Sequence, residues 1–155
     1  MREDLCCPEC GGLWTEQVTC ETFFHQMGFW ELDFKLWDVH HLMVLCYHLQ
    51  HPSLYSSEGL KDAVRLLVEF VEVGLSPQQI RQRDSNKLDS GRRGFKVSGT
   101  SKIHGSYAYP VRWTMTAVHV VAAGRDHYYA SVRQWALSVL GDLRASGNLQ
   151  ADLGQ

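Results

Sequence analysis

The sequence predicts an all-α protein, a compact helical bundle with a Cys-x-x-Cys knuckle at its N-terminus. Three observations carry that prediction. Apolar residues recur at three-and-four spacing along much of the chain, no stretch alternates convincingly at period two, and Cys7-Pro8-Glu9-Cys10-Gly11-Gly12 sets two thiols at metal-ligand spacing. At 155 residues and 45% hydrophobic content, the chain suits one domain with its own core. We divide it into a knuckle (1–19), helices (20–83), a basic connection (84–113) and C-terminal helices (114–147).

Thr19 reads as the N-cap of a first helix, with Thr22 three residues on in place of the Glu or Gln of a full capping box. Phe23, Phe24 and Met27 form its apolar face, and Gly28 is expected to end or loosen it. A second helix from about Asp33 to Gln50 carries Leu36, Val39, His40, Met43, Val44 and Tyr47 at helical spacing, and Pro52 stops it. A third starts at Ser56-Ser57-Glu58-Gly59, aligns Leu60, Val64, Leu67, Val68 and Val71, and ends at Gly74. Ser76-Pro77 opens a short helix to about Arg83 as an N-cap followed by an N1 proline. Residues 84–113 then turn polar and basic, apart from a possible small ribbon of Phe95-Lys96-Val97 with Tyr107-Ala108-Tyr109. Order resumes in a short helix from Thr114 to Gly124. A last helix, from about Asp126 to Ala145, presents Val132, Trp135, Val139 and Leu143 to the core.

Net charge is −2, but it is unevenly spread. Residues 1–75 hold 4 Lys/Arg against 12 Asp/Glu, while residues 76–155 hold 11 against 5. Mutual attraction of the two halves is the plainer consequence, and a basic face for a partner the sharper one. Met1-Arg2-Glu3-Asp4-Leu5 lacks the apolar core of a signal peptide, and no apolar run approaches the roughly 18 residues of a membrane helix. A soluble, cytoplasmic protein with no membrane partner is expected. Five cysteines, two of them adjacent, are unlike a secreted disulfide framework and suit thiols or metal ligands.

If the first two helices fold back on each other around residues 29–33, Cys20 at the start of one comes near His51 after the end of the other. Cys7, Cys10, Cys20 and His51 then form a closed Cys3His set for Zn2+. Cys6 is a spare thiol or an alternative ligand, and Cys46 reads as a small apolar core residue. His40 cannot share that ion, because eleven residues of straight helix separate it from His51 by about 16 Å. It is expected instead to lie buried beside Tyr47 and near the last helix, close to His127 or Trp135, either in a helical pocket of His40, Tyr47 and His127 or as a core histidine satisfied by a hydrogen bond. In the basic connection Arg92, Arg93 and Lys96 are candidates for partner binding, with Tyr107 to Trp113 docked on the bundle. No nucleophile elbow or phosphate loop is present, and the Cys-x-x-Cys lacks the βαβ setting of a redox motif.

These positions also carry a resemblance. The order Cys7-Pro8-x-Cys10-Gly11, Cys20 heading a helix, His40-x-Leu42-x-Val44-x-x-Tyr47-x-x-Gln50-His51-Pro52, and His127 followed by Trp135-Ala136 is similar to a family of small bacterial proteins known only as a domain of unknown function, DUF5946. The resemblance implies a shared helical fold and shared site residues, but no activity. The chain departs from it at Leu45, where an acidic residue is common, so no carboxylate role carries over to that position. Three functional readings follow. One is a zinc-stabilised accessory or interaction domain with a protein partner. Another is a metal-dependent enzyme built around His40 and His127. The third is a nucleic-acid-binding module using the basic segment 84–113.

Overall fold

A computed structural model of the chain describes residues 5–15, 17–88 and 104–150. Six α-helices make up the described fold: α1 (Cys20–Phe34), α2 (His40–Leu49), α3 (Ser57–Val68), α4 (Pro77–Leu88), α5 (Ala117–Ala123) and α6 (Tyr128–Ala145). Among the described residues there is no strand, only an isolated antiparallel bridge between Cys6 and Leu13 that closes the knuckle.

Helix α6 is the spine. It packs against α2, α3 and α5, while α1 lies against α5. All four residues expected on its inner stripe, Val132, Trp135, Val139 and Leu143, are fully buried. They join Met43, Cys46 and Leu49 of α2, Leu60 and Leu67 of α3, Val120 of α5 and Met27 of α1 in one apolar cluster. Cys46 thus behaves as a small core residue.

Several helix boundaries differ from the sequence reading. α1 does not stop at Gly28 but continues to Phe34 and ends where Lys35 turns left-handed at φ 56°. A helix-interior glycine costs only about 1 kcal/mol relative to alanine, and complete burial of the neighbouring Met27 outweighs that. The reversal therefore falls at Lys35–Val39, including a 3-10 turn at Trp37–Val39, and α2 begins only at His40. α3 continues into a π-helical turn, Glu69–Val73, before Gly74 ends it at φ 81°. α4 runs beyond Arg83 to Leu88.

Arg83 pairs with Glu69 at 2.9 Å, and Arg144 pairs with Glu72, so the basic second half is tied to the acidic first half. Residues 104–116 cross the surface without regular structure, yet they are pinned at several points. Gly105 N–H donates to Tyr55 O at 2.7 Å, Gln50 Nε2 to Met115 O at 2.7 Å, and Thr114 N–H to Asp142 Oδ2 at 2.8 Å. Glycine lets the chain pass close to the backbone there, since a Cβ at Gly105 would meet Ser56 O at 3.1 Å and Pro52 O at 3.2 Å. Arg92, Arg93 and Lys96 lie outside the described residues, as does the suggested ribbon strand at Phe95–Val97. No described helix is long and apolar enough to cross a membrane.

Candidate metal centre

The knuckle is held by backbone bonds before any side chain is considered. Cys7 N–H donates to Gly12 O at 2.8 Å and Gly11 N–H to Cys7 O at 2.9 Å, with Gly11 at φ 74°, a conformation that favours glycine. This tight loop turns both thiols inward. Cys20 reaches them because it is the first residue of α1, where Thr19 N–H donates to Thr22 Oγ1 at 3.1 Å and fixes the start of the helix. Thr22 thus performs the half of the capping box that Glu or Gln usually performs. At a helix N-terminus the aligned peptide dipoles favour a thiolate.

His51 arrives from the other side, just past the end of α2. Its Nδ1 lies 2.6 Å from the Tyr47 carbonyl, one of the orphan acceptors of the last helical turn. A carbonyl only accepts, so Nδ1 carries the proton and the lone pair of Nε2 faces Cys7 Sγ at 3.5 Å. Tyr47 also stacks obliquely on the imidazole, with ring centroids 4.3 Å apart.

Cys7, Cys10, Cys20 and His51 are all buried, and their ligand atoms lie within 4.8 Å of one another. Cys10 and Cys20 sulfurs are 3.4 Å apart. A tetrahedral centre with Zn–S of about 2.3 Å and Zn–N of about 2.0–2.1 Å sets its ligand atoms about 3.6–3.8 Å apart. The close pairs, at 3.4 and 3.5 Å, would open slightly and the widest, at up to 4.8 Å, would close by about 1 Å around an ion. Surrounding donors complete the arrangement: Cys10 N–H points at Cys7 Sγ (3.5 Å), Gly12 N–H at Cys10 Sγ (3.3 Å) and Trp14 Nε1–H at Cys20 Sγ (3.2 Å). Each favours negative charge on sulfur.

The thiols are not equivalent. The hydrogen bond from Cys10, aided by His51 and Trp14, brings Cys20 down to about 4. Its bond to Cys20, together with burial, pushes Cys10 up, and burial pushes Cys7 up. Burial alone would lower His51, but the nearby Cys20 sulfur and the bond to the Tyr47 carbonyl outweigh that and raise it. The cluster therefore contains one ready thiolate and two thiols that a metal must deprotonate.

The expected pocket of His40, Tyr47 and His127 does not assemble. His40 is exposed at the first turn of α2, whereas Tyr47 is buried at the other end beside Phe24 and His51. Seven residues of helix, about 10 Å, separate them. His127 is exposed in a 3-10 turn and lines a cavity of about 400 Å³ with Phe34, Leu36, Arg125, Tyr128 and Tyr129. Trp135 is not near His40 either: its Nε1–H donates to Gln50 Oε1 at 3.2 Å. Gln50 is fully buried, and its amide is used on both sides, by Trp135 and by Met115 O. In the Gln50-His51-Pro52 run, then, Gln50 locks the core, His51 faces the thiols and Pro52 starts a 3-10 turn.

What His40 does contact was missed from the sequence. Its Nδ1 lies 2.6 Å from Oε1 of Glu31, a buried carboxylate whose Oε2 accepts from the Tyr128 hydroxyl at 2.5 Å. This triad ties α1, α2 and α6 together. Glu31 lies four residues after Met27 on the apolar face of α1, and that spacing was the available signal.

Fold and site together define a helical-bundle protein with a buried cluster of three thiols and one imidazole that can hold a metal ion. The chain belongs to DUF5946, a family of unknown function, whose sequence pattern matches residues 6–144. No curated protein and no solved structure matches it.

Proposed function

We propose that the protein is a zinc-stabilised helical domain serving as an interaction or accessory module. The observation that carries this reading is the closed donor set: Cys7, Cys10, Cys20 and His51, all buried and within 4.8 Å of one another. Catalytic zinc keeps a coordination position for water or substrate, whereas four protein donors of this softness suit a structural ion. Among the described residues, this is the only group of three or more His, Cys, Asp or Glu at metal-holding distance. Zinc bound in this way contributes to folding, because it ties the N-terminal loop to the start of α1 and the end of α2.

The test compares Cys10→Ser with His40→Ala in purified protein, reading metal content and helical circular dichroism together. Cys10→Ser is expected to lose zinc and helical signal in parallel, while His40→Ala keeps both. A second, exchangeable metal lost on His40→Ala with the fold intact would overturn the reading in favour of a metalloenzyme.

A further inference from the structure

Beside the knuckle runs a groove of about 340 Å³ whose walls are chiefly Pro52, Tyr107, Tyr109, Pro110 and Trp113, with Glu9 at its edge. We propose that this groove binds a short extended segment of a protein partner, rich in proline and flanked by an arginine or lysine.

Three observations lead there. The first is that its aromatic rings are held in place before any ligand arrives. Tyr109 is 56% exposed, yet its N–H donates to Asn148 Oδ1 at 3.1 Å and its carbonyl accepts from Asn148 Nδ2 at 2.8 Å. Its ring lies across Gly147, 3.5 Å from where a Cβ would stand. The Tyr107 hydroxyl donates to the Leu49 carbonyl, and Trp113 meets the Tyr107 ring edge-on, with centroids 5.9 Å apart. Tyr107 and Trp113 are half-buried and Tyr109 is exposed on an anchored backbone, so part of the ordering cost of binding is already met by the fold.

The second observation is the composition of the walls. Tyrosine and tryptophan ridges are the surface on which polyproline II segments dock, because those segments are pre-extended and present flat apolar rings every third residue. The third is charge. Among the described residues Glu9 is the only charged side chain lining the groove, and Ser53 N–H, bound to Oε1 at 3.0 Å, holds its carboxylate in position. A cationic residue at one end of the segment complements it.

This inference rests on the zinc reading in one respect: Glu9 lies between Cys7 and Cys10, so the metal-bound loop positions it. Trp113 and Val111 also line the adjoining cavity against the knuckle itself.

The experiment titrates full-length protein of measured metal content into fluorescein-labelled proline-rich dodecapeptides with arginine at either end, reading fluorescence anisotropy. Glutamate-flanked counterparts, choline and labelled oligouridylate serve as comparison ligands. Saturable binding of an arginine-flanked peptide is expected. Tyr109→Ala should weaken it at least tenfold with zinc content and helical signal unchanged, and Glu9→Gln should remove the preference for arginine over glutamate. Zinc-loaded protein that binds none of the peptides would overturn the groove assignment and leave the zinc reading standing. So would unchanged binding by Tyr109→Ala, or tighter binding of choline or oligouridylate. Peptide bound with the expected Tyr109 dependence by a folded protein containing no metal would support the groove and sink the zinc reading.

Discussion

Replacing Glu31 by alanine should be among the most damaging single changes outside the metal cluster. The side chain is 1% exposed and accepts two short hydrogen bonds, from His40 Nδ1 at 2.6 Å and from the Tyr128 hydroxyl at 2.5 Å. The two bonds do not count equally. The His40 side chain is 53% exposed, so water replaces much of what it loses, and that bond is worth at most about 1 kcal/mol. Tyr128 is 1% exposed, and removing its acceptor strands a buried hydroxyl at a cost of about 1–3 kcal/mol. The sum is roughly 1–4 kcal/mol, or a fall in melting temperature of roughly 2–16 °C for a domain of this size. Urea melts of metal-loaded Glu31→Ala, His40→Ala and Tyr128→Phe proteins should rank Glu31→Ala as the most destabilised and His40→Ala as the least. A loss below about 0.5 kcal/mol for Glu31→Ala, or a larger loss for His40→Ala, would refute the assignment of this triad as the tie among α1, α2 and α6.

Zinc uptake at pH 7 should release at least about two protons, from the Cys7 and Cys10 thiols, with a further share from His51, which is also raised, while Cys20, lowered to about 4, adds none. Calorimetry in buffers of different ionisation enthalpy measures this number, and no release would contradict the ligand set. In the metal-free protein the depressed Cys20 contributes stability that is fully present above its ordinary thiol value and is lost progressively as pH falls from there to about 4, so the fall in melting temperature due to this group should level off below about 4. Two glycines should respond in opposite directions. Gly105→Ala puts a Cβ 3.1 Å from Ser56 O and should cost about 1–3 kcal/mol. Gly28→Ala, with nothing within 4 Å and a helical backbone, should gain about 0.5–1 kcal/mol in thermal melts.

Much of the architecture was legible because it depends on local chemistry. A Cys-x-x-Cys loop with glycine at its fifth position turns sulfurs inward wherever it occurs, and Pro52 ends α2 so that His51 falls just beyond its last turn. The inner stripe of α6 needed only helical spacing. What could not be read was longer range. His40 shares a helical face with Val44 and Tyr47, but α2 begins at His40 itself, so that residue sits at the rim and not in the core. Glu31 looks like a surface charge between Trp30 and Leu32, and only the approach of Tyr128 from ninety-seven residues away makes its burial tolerable. Gly28 was overweighted as a breaker because propensity ignores the packing on either side of it. The groove likewise depends on Asn148 meeting Tyr109 across thirty-nine residues, which no local pattern announces.

The central claim is that three sulfurs and one imidazole nitrogen, from Cys7, Cys10, Cys20 and His51, hold zinc as a structural ion. X-ray absorption at the zinc edge on the purified protein tests it most directly. One zinc per chain, with three sulfur neighbours at about 2.3 Å and one nitrogen at about 2.0–2.1 Å, is the predicted result. A first shell containing oxygen, or protein that is fully folded with no zinc at all, would contradict it.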